Sequence, residues 1–204
     1  MVSYLVLFGY TCITFIEALR TPSVHVRHIM NVETAVSLVA GLVYGMFIEK
    51  MKQPDFKLEE IMPLRYLDWT ITTPLILLGV ILFYTSTTSP IDWRIFAAII
   101  GLDWVMLGAG YLGETGQIDR WTGLGVGFAA LGALLWLLWG TATKHGQPMA
   151  VFWIFALIWS LYGVAYMIPD EESKNISYNV LDVVAKALFG VVLWMYYGRV
   201  VAFR

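Results

Sequence analysis

The amino-acid sequence predicts an all-α membrane protein, a bundle of seven transmembrane helices that forms a single domain over residues 1–204. Hydrophobic residues make up 59% of the chain and charged residues only 14%, a balance typical of integral membrane proteins. Apolar runs of about 20 residues, long enough to cross a lipid bilayer, recur along the whole chain. The breaks between these runs are short, so the sequence leaves no room for a soluble domain.

Polar or turn-rich breaks divide the chain into the predicted helices. In order, they are "ALRTPSVHVRH", "EKMKQPDFKLEE", "YTSTTSPID", "LGETGQID", "TATKHGQP" and "PDEESKN". The predicted membrane spans therefore lie at about residues 2–19, 30–49, 62–84, 93–113, 120–142, 149–168 and 176–198.

The first apolar run begins at residue 2 without a basic segment before it or an evident cleavage site, so we expect a retained helix rather than a signal peptide. The single cysteine, Cys12, lies in this run and allows no intrachain disulfide. Arginine and lysine are slightly more numerous in the loops on one side, which predicts the N-terminus outside and the C-terminus in the cytoplasm.

Charged residues inside the predicted spans are the candidate functional residues, because a charge is costly at bilayer depth. They are Arg65, Asp68, Asp103, Asp182 and Lys186. Asp182 and Lys186 lie one helical turn apart, as do Arg65 and Asp68, so each pair shares a helix face. A buried ion pair is one interpretation. The other is a reactive amine, because a buried lysine tends to lose its charge and then attacks aldehydes to form a Schiff base.

Aromatic residues lie near these charges in the sequence. Trp69 follows Asp68, and the segment "WSLYGVAY" places Trp159, Tyr162 and Tyr166 on one helical stripe. Such a stripe often belongs to core packing. Opposite a buried lysine, it also suits the wall of a slot for a long, flat, apolar ligand.

The segments "RYLDWTITTPL" and "YNVLDVVAKALFG" resemble the third and seventh helices of microbial rhodopsins, the proteorhodopsin-like and bacteriorhodopsin-like ion pumps. The resemblance extends to "GLDWVMLGAG" and "WSLYGVAY" and covers the whole chain in order. It implies the microbial rhodopsin fold and a light-driven outward proton pump, which is not an enzyme. The implied cofactor is all-trans retinal, bound to Lys186 as a protonated Schiff base.

The resemblance also implies roles for individual residues. Asp68 and Asp182 would be the counterions of the Schiff base, with Asp68 as the proton acceptor. Arg65 would be the gate toward the outside, and Thr72 the hydroxyl partner of Asp68. The other cofactor-binding residues that the resemblance implies are Trp69, Trp159, Tyr162, Tyr66, Met106, Gly110, Ile76 and Asp103. An apolar residue at Ile76 favours absorption of green light.

The sequence departs from the usual pump pattern at Gly79, where pumps commonly place a carboxylic acid that returns a proton to the Schiff base. In this respect it resembles the DTG group, in which the proton donor lies elsewhere. His28, which precedes the second span, and Glu33, just over one turn further along, are the two candidate donors. Lys174 lies where bacteriorhodopsin-like pumps keep a glutamate for proton release, and Glu171 and Glu172 could substitute for it.

Glycines in "WTGLGVG" raise a further hypothesis. A missing side chain at Gly123 or Gly125 could open a window that admits a carotenoid antenna, whereas a side chain from Leu124 would close it. Simple helix packing is the alternative interpretation.

Two other functions remain open: a sensory rhodopsin that signals through a separate transducer, and a seven-helix transporter or structural protein without retinal. We expect the protein to be a multi-pass protein of the cell (plasma) inner membrane. The expected partners are membrane lipid, protons and further copies of the chain, with neither nucleic acid nor metal.

Overall fold

A computed structural model of the protein describes residues 1–85, 90–145 and 148–197. The helices are α1 Val2–Arg20, α2 Val24–Met51, α3 Ile61–Tyr84, α4 Trp93–Glu114, α5 Arg120–Lys144, α6 Ala150–Tyr166, α7 Glu171–Asp182 and α8 Phe189–Tyr197. A 3₁₀ turn, Leu58–Glu60, precedes α3, and a π-helical turn, Val183–Leu188, joins α7 to α8. We call α7, the π-helical turn and α8 together the seventh segment. The described residues thus confirm the predicted all-α bundle of seven segments.

In the part of the chain that the structure describes, six of these segments are long and apolar enough to cross a membrane. The mean hydropathy of each lies between 1.5 and 1.8. The remaining one, Ala150–Tyr166, is apolar and has 17 residues. Large hydrophobic side chains also cover the outside of the bundle, among them Trp136, 77% exposed, and Trp121, 69% exposed. An apolar exterior of this kind suits contact with lipid.

Two helices begin earlier than predicted. α2 starts at Val24 and the seventh segment at Glu171, each more than one turn before the predicted membrane span. The reason is that a helix continues through polar residues once its first amides are capped. Ser23 accepts a hydrogen bond from the Val26 amide at 3.4 Å, and Asp170 accepts one from the Ser173 amide at 2.8 Å.

The interior of the bundle divides into an apolar half and a polar half. Around Ile76, Leu77 and Val80 of α3, buried side chains from α2, α5 and α6 form the main hydrophobic core. Arg65 and Asp68 lie at the other end of α3 and are also buried. We refer to these two halves as the Gly79 end and the Arg65 end. Because α3 carries charges in one half and apolar residues in the other, the candidate site lies in the middle of the bundle.

Candidate functional site

Lys186 is the centre of the site and lies in the π-helical turn Val183–Leu188. Its side chain is 1% exposed, and its amine donates a hydrogen bond to Asp68 Oδ2 and lies 3.3 Å from Asp182 Oδ1. Both carboxylate side chains are almost completely buried. Single π-helical turns inside α-helices often mark functional sites. The structure therefore brings together the lysine and the two carboxylates that the sequence predicted.

The two carboxylates are bonded unequally. Besides the lysine, the Asp182 carboxylate accepts hydrogen bonds at 2.8–3.2 Å from four groups: Trp69 Nε1, the Tyr162 hydroxyl, the Tyr44 hydroxyl and Arg65 Nη1. Asp68 Oδ1, in contrast, has no hydrogen-bond partner among the residues that the structure describes. Because hydrogen bonds and nearby positive charge favour the ionised form of an acid, Asp182 holds its charge more firmly than Asp68.

Thr72 does not contact Asp68 in the way that the sequence predicted. Its hydroxyl donates to the backbone carbonyl of Asp68 at 2.9 Å, and no side-chain bond to the carboxylate is present between these two described residues. Threonine in a helix commonly bonds the carbonyl four residues back, which explains the difference.

Arg65 lies on the same side of the site and is 2% exposed. Besides Asp182, its guanidinium donates to the Tyr44 hydroxyl and to the side-chain oxygens of Asn175 and Asn179. The sequence analysis missed Tyr44, Asn175 and Asn179. Each is an uncharged polar residue, so the search for charges inside the membrane spans could not find them.

An elongated cavity extends from Lys186 between α3, α4, α5 and α6. All the predicted cofactor-binding residues except Asp103 line it: Tyr66, Trp69, Ile76, Met106, Gly110, Trp159, Tyr162 and Lys186. Asp103 lies behind this wall and accepts a hydrogen bond from Thr73, itself a lining residue, at 2.6 Å. Trp159 stacks on Phe155 with ring centroids 4.0 Å apart, so that part of the wall is rigid.

Two glycines in the cavity lining allow aromatic side chains to approach closely. A Cβ atom on Gly110 would lie 2.8 Å from the Tyr66 hydroxyl. One on Gly163 would overlap the ring of Phe128. The close approach of these aromatic side chains therefore depends on glycine at both positions.

The structure does not support a carotenoid window at Gly123 or Gly125. Gly123 is buried, and a Cβ atom there would lie 2.8 Å from the Tyr166 hydroxyl and 2.9 Å from the Ala109 carbonyl. Gly125 is exposed and has no described neighbour within 4 Å of such an atom. Leu124, the residue expected to close such a window, lines the cavity beside Gly123. Gly123 serves helix packing, which was the alternative interpretation.

Glu33 occupies the space beside Gly79. The Glu33 side chain is buried, and a Cβ atom on Gly79 would lie 3.4 Å from its Oε1. A Cβ atom on Gly190, in α8, would collide with the same carboxylate and with the Tyr10 hydroxyl. The two glycines thus leave room for a carboxylate that comes from α2. His28, the other candidate donor, is exposed on the surface of α2.

A second buried cluster lies at the Arg65 end. Lys174 is 3% exposed and forms ion pairs with Glu114 at 2.8 Å and with Glu171 at 2.6 Å. Arg120 also pairs with Glu114, at 3.1 Å. Glu172 is exposed. The sequence analysis missed Glu114, which ends α4 and reads as an ordinary loop residue until α4, α5 and α7 are packed together.

These residues fit retinal. The cavity is lined by aromatic and aliphatic side chains and ends at a buried primary amine, as a long apolar aldehyde requires. The carboxylates beside the amine can balance a positive charge on its nitrogen. Asp68 Oδ1, which lacks a partner among the described residues, can accept a further hydrogen bond.

Fold and site together define a seven-helix membrane protein whose buried lysine is paired with carboxylates at the end of an aromatic cavity. A family model described as "Bacteriorhodopsin-like protein" matches residues 1–200. The chain belongs to this family of microbial rhodopsins, whose members bind retinal through a Schiff base at a lysine.

Individual relatives include pumps and sensors. The solved viral rhodopsin OLPVRII is 35% identical, with a TM-score of 0.87 over 98% of this chain and 96% of that one. A green-light absorbing proteorhodopsin from Gamma-proteobacterium EBAC31A08 is 27% identical over 185 residues, covering 79% of this chain and 71% of the relative. Sensory rhodopsin-2 from Natronomonas pharaonis is 30% identical over 147 residues, covering 63% of this chain and 59% of the relative.

Proposed function

We propose that the protein is a light-driven outward proton pump of the DTG group, with all-trans retinal bound at Lys186. The observation that carries the proposal is the unequal bonding of the two carboxylates around the lysine. A pump needs one carboxylate that stays ionised and another that can take up and give back a proton. Asp182, with its four further donors, suits the first role, and Asp68 suits the second.

In the dark, Asp68 and Asp182 together balance the positive charges of Arg65 and of the Lys186 nitrogen. Retinal, when bound, supplies the absorption of visible light and an isomerisation that turns the N–H bond at the lysine nitrogen. Asp68 then accepts the proton, because Asp182 is stabilised as an anion by its hydrogen bonds. Arg65 lies between these carboxylates and the Lys174 cluster. A proton that leaves Asp68 for the outside must therefore pass Arg65.

Glu33 is the proton donor that the geometry favours. It lies in the Gly79 end, where a path from the cytoplasm to Lys186 must pass if the N-terminus is outside. Its carboxylate fills the space that Gly79 and Gly190 leave open, whereas His28 faces away from the interior. A buried carboxylic acid in apolar surroundings keeps its proton more readily than one in water, as a donor must.

A sensory photoreceptor is the second candidate function. It would use the same lysine, carboxylates and cavity, and it is favoured by Gly79, because the loss of the usual third-helix donor suits a slow photocycle. A separate transducer would then be the partner.

The proposal also places the protein in the plasma membrane and includes its association with further copies of the chain.

The deciding experiment is the light-induced pH change in a suspension of cells that express the protein and are supplied with retinal. A pump acidifies the medium, and a protonophore abolishes the change. Asp68→Asn is the matched control, because it should keep the bound chromophore and lose transport. A coloured wild-type protein that leaves the external pH unchanged would refute the pump and favour the sensor.

A further inference from the structure

Two asparagine side chains on α7 hold the guanidinium of Arg65 beside the carboxylates. Arg65 Nη2 donates to Asn179 Oδ1 at 2.8 Å and to Asn175 Oδ1 at 3.2 Å. The Asn175 amide is fixed in turn, because its Nδ2 donates to the Glu171 carbonyl at 2.9 Å. Amide oxygens satisfy the donors of arginine without adding a negative charge to the site.

The other half of the guanidinium is also held. Nη1 donates to the Tyr44 hydroxyl at 3.3 Å and to Asp182 Oδ2 at 3.2 Å. Aromatic rings enclose the group, with centroids 5.2 Å away for Phe47 and 5.3 Å for Tyr178. The shortest of the four hydrogen bonds is the one to Asn179, which also accepts from the Tyr44 hydroxyl at 3.0 Å. Among the neutral groups that hold Arg65, Asn179 therefore makes the closest contact and also joins the guanidinium to Tyr44.

The position of Arg65 matters for Asp68 because the two residues lie one helical turn apart on α3. The attraction between their charges falls as their separation grows. The other charged groups at Asp68 are Lys186 and Asp182, which belong to the seventh segment and do not contact Asn179 through any described hydrogen bond. The polar groups that face the same cluster are the hydroxyls of Tyr44 on α2 and Tyr162 on α6.

We propose that Asn179 is a positioning residue that keeps Arg65 next to the carboxylates and thereby keeps Asp68 ionised in the dark. The inference rests on the proposed function, in which the Asp68 carboxylate must be deprotonated before it can accept a proton. Without Asn179, the guanidinium loses one of its four hydrogen bonds, and the arginine side chain can shift outward from Asp68 toward Asn175. Asp68 then loses part of the positive charge that favours its anion, and it keeps its proton at a higher pH.

The test is an acid titration of the visible absorption band of the purified protein loaded with all-trans retinal. Protonation of a carboxylate beside the chromophore shifts the band, and the midpoint of the shift reports on Asp68. In Asn179→Leu the midpoint should rise by about one pH unit, the equivalent of about 1.4 kcal/mol of lost interaction. The last step of the recovery after a flash, in which Asp68 loses its proton, should slow several-fold.

Ser177→Ala is the matched control on the same helix, since the Ser177 hydroxyl bonds the Ser173 carbonyl of its own helix, and it should leave the midpoint unchanged. Infrared bands of ¹⁵N-labelled arginine, assigned with Arg65→Lys, should shift in Asn179→Leu and not in Ser177→Ala. If Asn179→Leu does not fold, Asn179→Ser replaces it under the same criteria, because serine is too short to reach Arg65.

A midpoint within 0.2 pH unit of the wild-type value (about 0.3 kcal/mol), or unchanged arginine bands, would overturn the role of Asn179. These measurements need bound retinal and do not need transport. A protein that fails to acidify the medium while Asn179→Leu moves the midpoint refutes the pump alone. A protein that pumps while the midpoint stays fixed refutes the positioning role alone.

Discussion

At the scale of single residues, Lys186 is the residue on which the proposed cofactor depends. Its amine ends the cavity, and it is buried between carboxylates. We expect Lys186→Ala to remain colourless after retinal is added to the purified protein. Lys174→Ala is the control, because Lys174 is also buried yet lies outside the cavity lining, and it should bind the chromophore. A visible band in Lys186→Ala would refute the assignment.

Ile76 should tune the colour of the bound chromophore. Its side chain lines the cavity on α3 and is almost fully buried. A polar side chain there places a dipole against the polyene, so we expect Ile76→Gln to shift the absorption maximum to shorter wavelength. Ile71→Gln, on the exposed side of the same helix, should leave the maximum in place. Equal maxima for wild type and Ile76→Gln would contradict the position of the chromophore.

Glu33 and His28 can be distinguished by the rate at which the Lys186 nitrogen regains its proton after a flash. Because Glu33 is buried beside Gly79 and His28 is exposed, we expect Glu33→Gln to slow this step many-fold and make it depend on external pH. Added azide, a small diffusible acid, should restore the rate. His28→Ala should behave like the wild type. The reverse pattern would assign the donor role to His28.

The charged residues of the candidate site could be predicted from the sequence pattern, whereas most of the neutral residues that line the cavity came from the resemblance to microbial rhodopsins. Asp68, Asp182 and Lys186 were predictable because burying a charge in a membrane is costly and rarely accidental. Asn179 and Glu114 were not, because the first is neutral and the second ends a helix. Their roles depend on which helices pack against each other, and the periodicity of a single chain does not contain that information.

At the scale of helices, the start of α7 depends on an exposed cap. Asp170 accepts hydrogen bonds at the N-terminus of α7, and these bonds lower the pKa of its carboxyl below its usual value. Since the folded-state pKa is the lower one, the stabilisation is present above the unfolded value and is lost as pH falls through the folded value. We expect Asp170→Ala to lower the thermal bleaching temperature at pH 7.

The same comparison at acid pH provides the control for this cap. As pH falls through the lowered pKa of the wild-type carboxyl, the difference in bleaching temperature between Asp170→Ala and the wild type should shrink. Asp170→Asn, which keeps a capping oxygen without the charge, should lie between Asp170→Ala and the wild type at pH 7. A difference that does not change with pH would show that the charge of Asp170 has no part in the cap.

The sequence predicted which segments form helices better than it predicted the residues at which the helices begin and end. Apolar runs locate the part of each helix that lies in lipid, yet a capped helix such as α2 continues through "VHVRH" into the polar region. The π-helical turn around Lys186 was not predictable either. It adds a residue to one turn, and no composition or spacing distinguishes "VVAKAL" from an ordinary helical run.

At the scale of the whole molecule, the buried cluster around Lys174 ties three helices together. Glu114 of α4 pairs with Lys174 of α7 and with Arg120 of α5. Removal of the Glu114 charge leaves the buried Lys174 amine with one carboxylate, that of the half-exposed Glu171, so we expect Glu114→Gln to lower the free energy of unfolding by about 2 kcal/mol. The measurement is denaturant unfolding in detergent, followed by loss of the visible band.

The double variant Glu114→Gln/Lys174→Met is the control for this prediction. It also removes the buried amine that Glu114→Gln leaves with one carboxylate partner, so it should recover much of the lost stability. Greater loss in the double variant than in Glu114→Gln would mean that packing, rather than charge, explains the effect.

The first half of the seventh segment, Glu171–Asp182, is polar or charged at most of its positions. While the chain is being synthesised, such a helix gains little by leaving the translocation channel for bare lipid. Its buried charges have their partners on helices made earlier, with Arg65 facing Asp182 and Glu114 facing Lys174. We therefore expect the seventh segment to enter the bilayer after α3 and α4, at the place where their charged side chains can pair with its own.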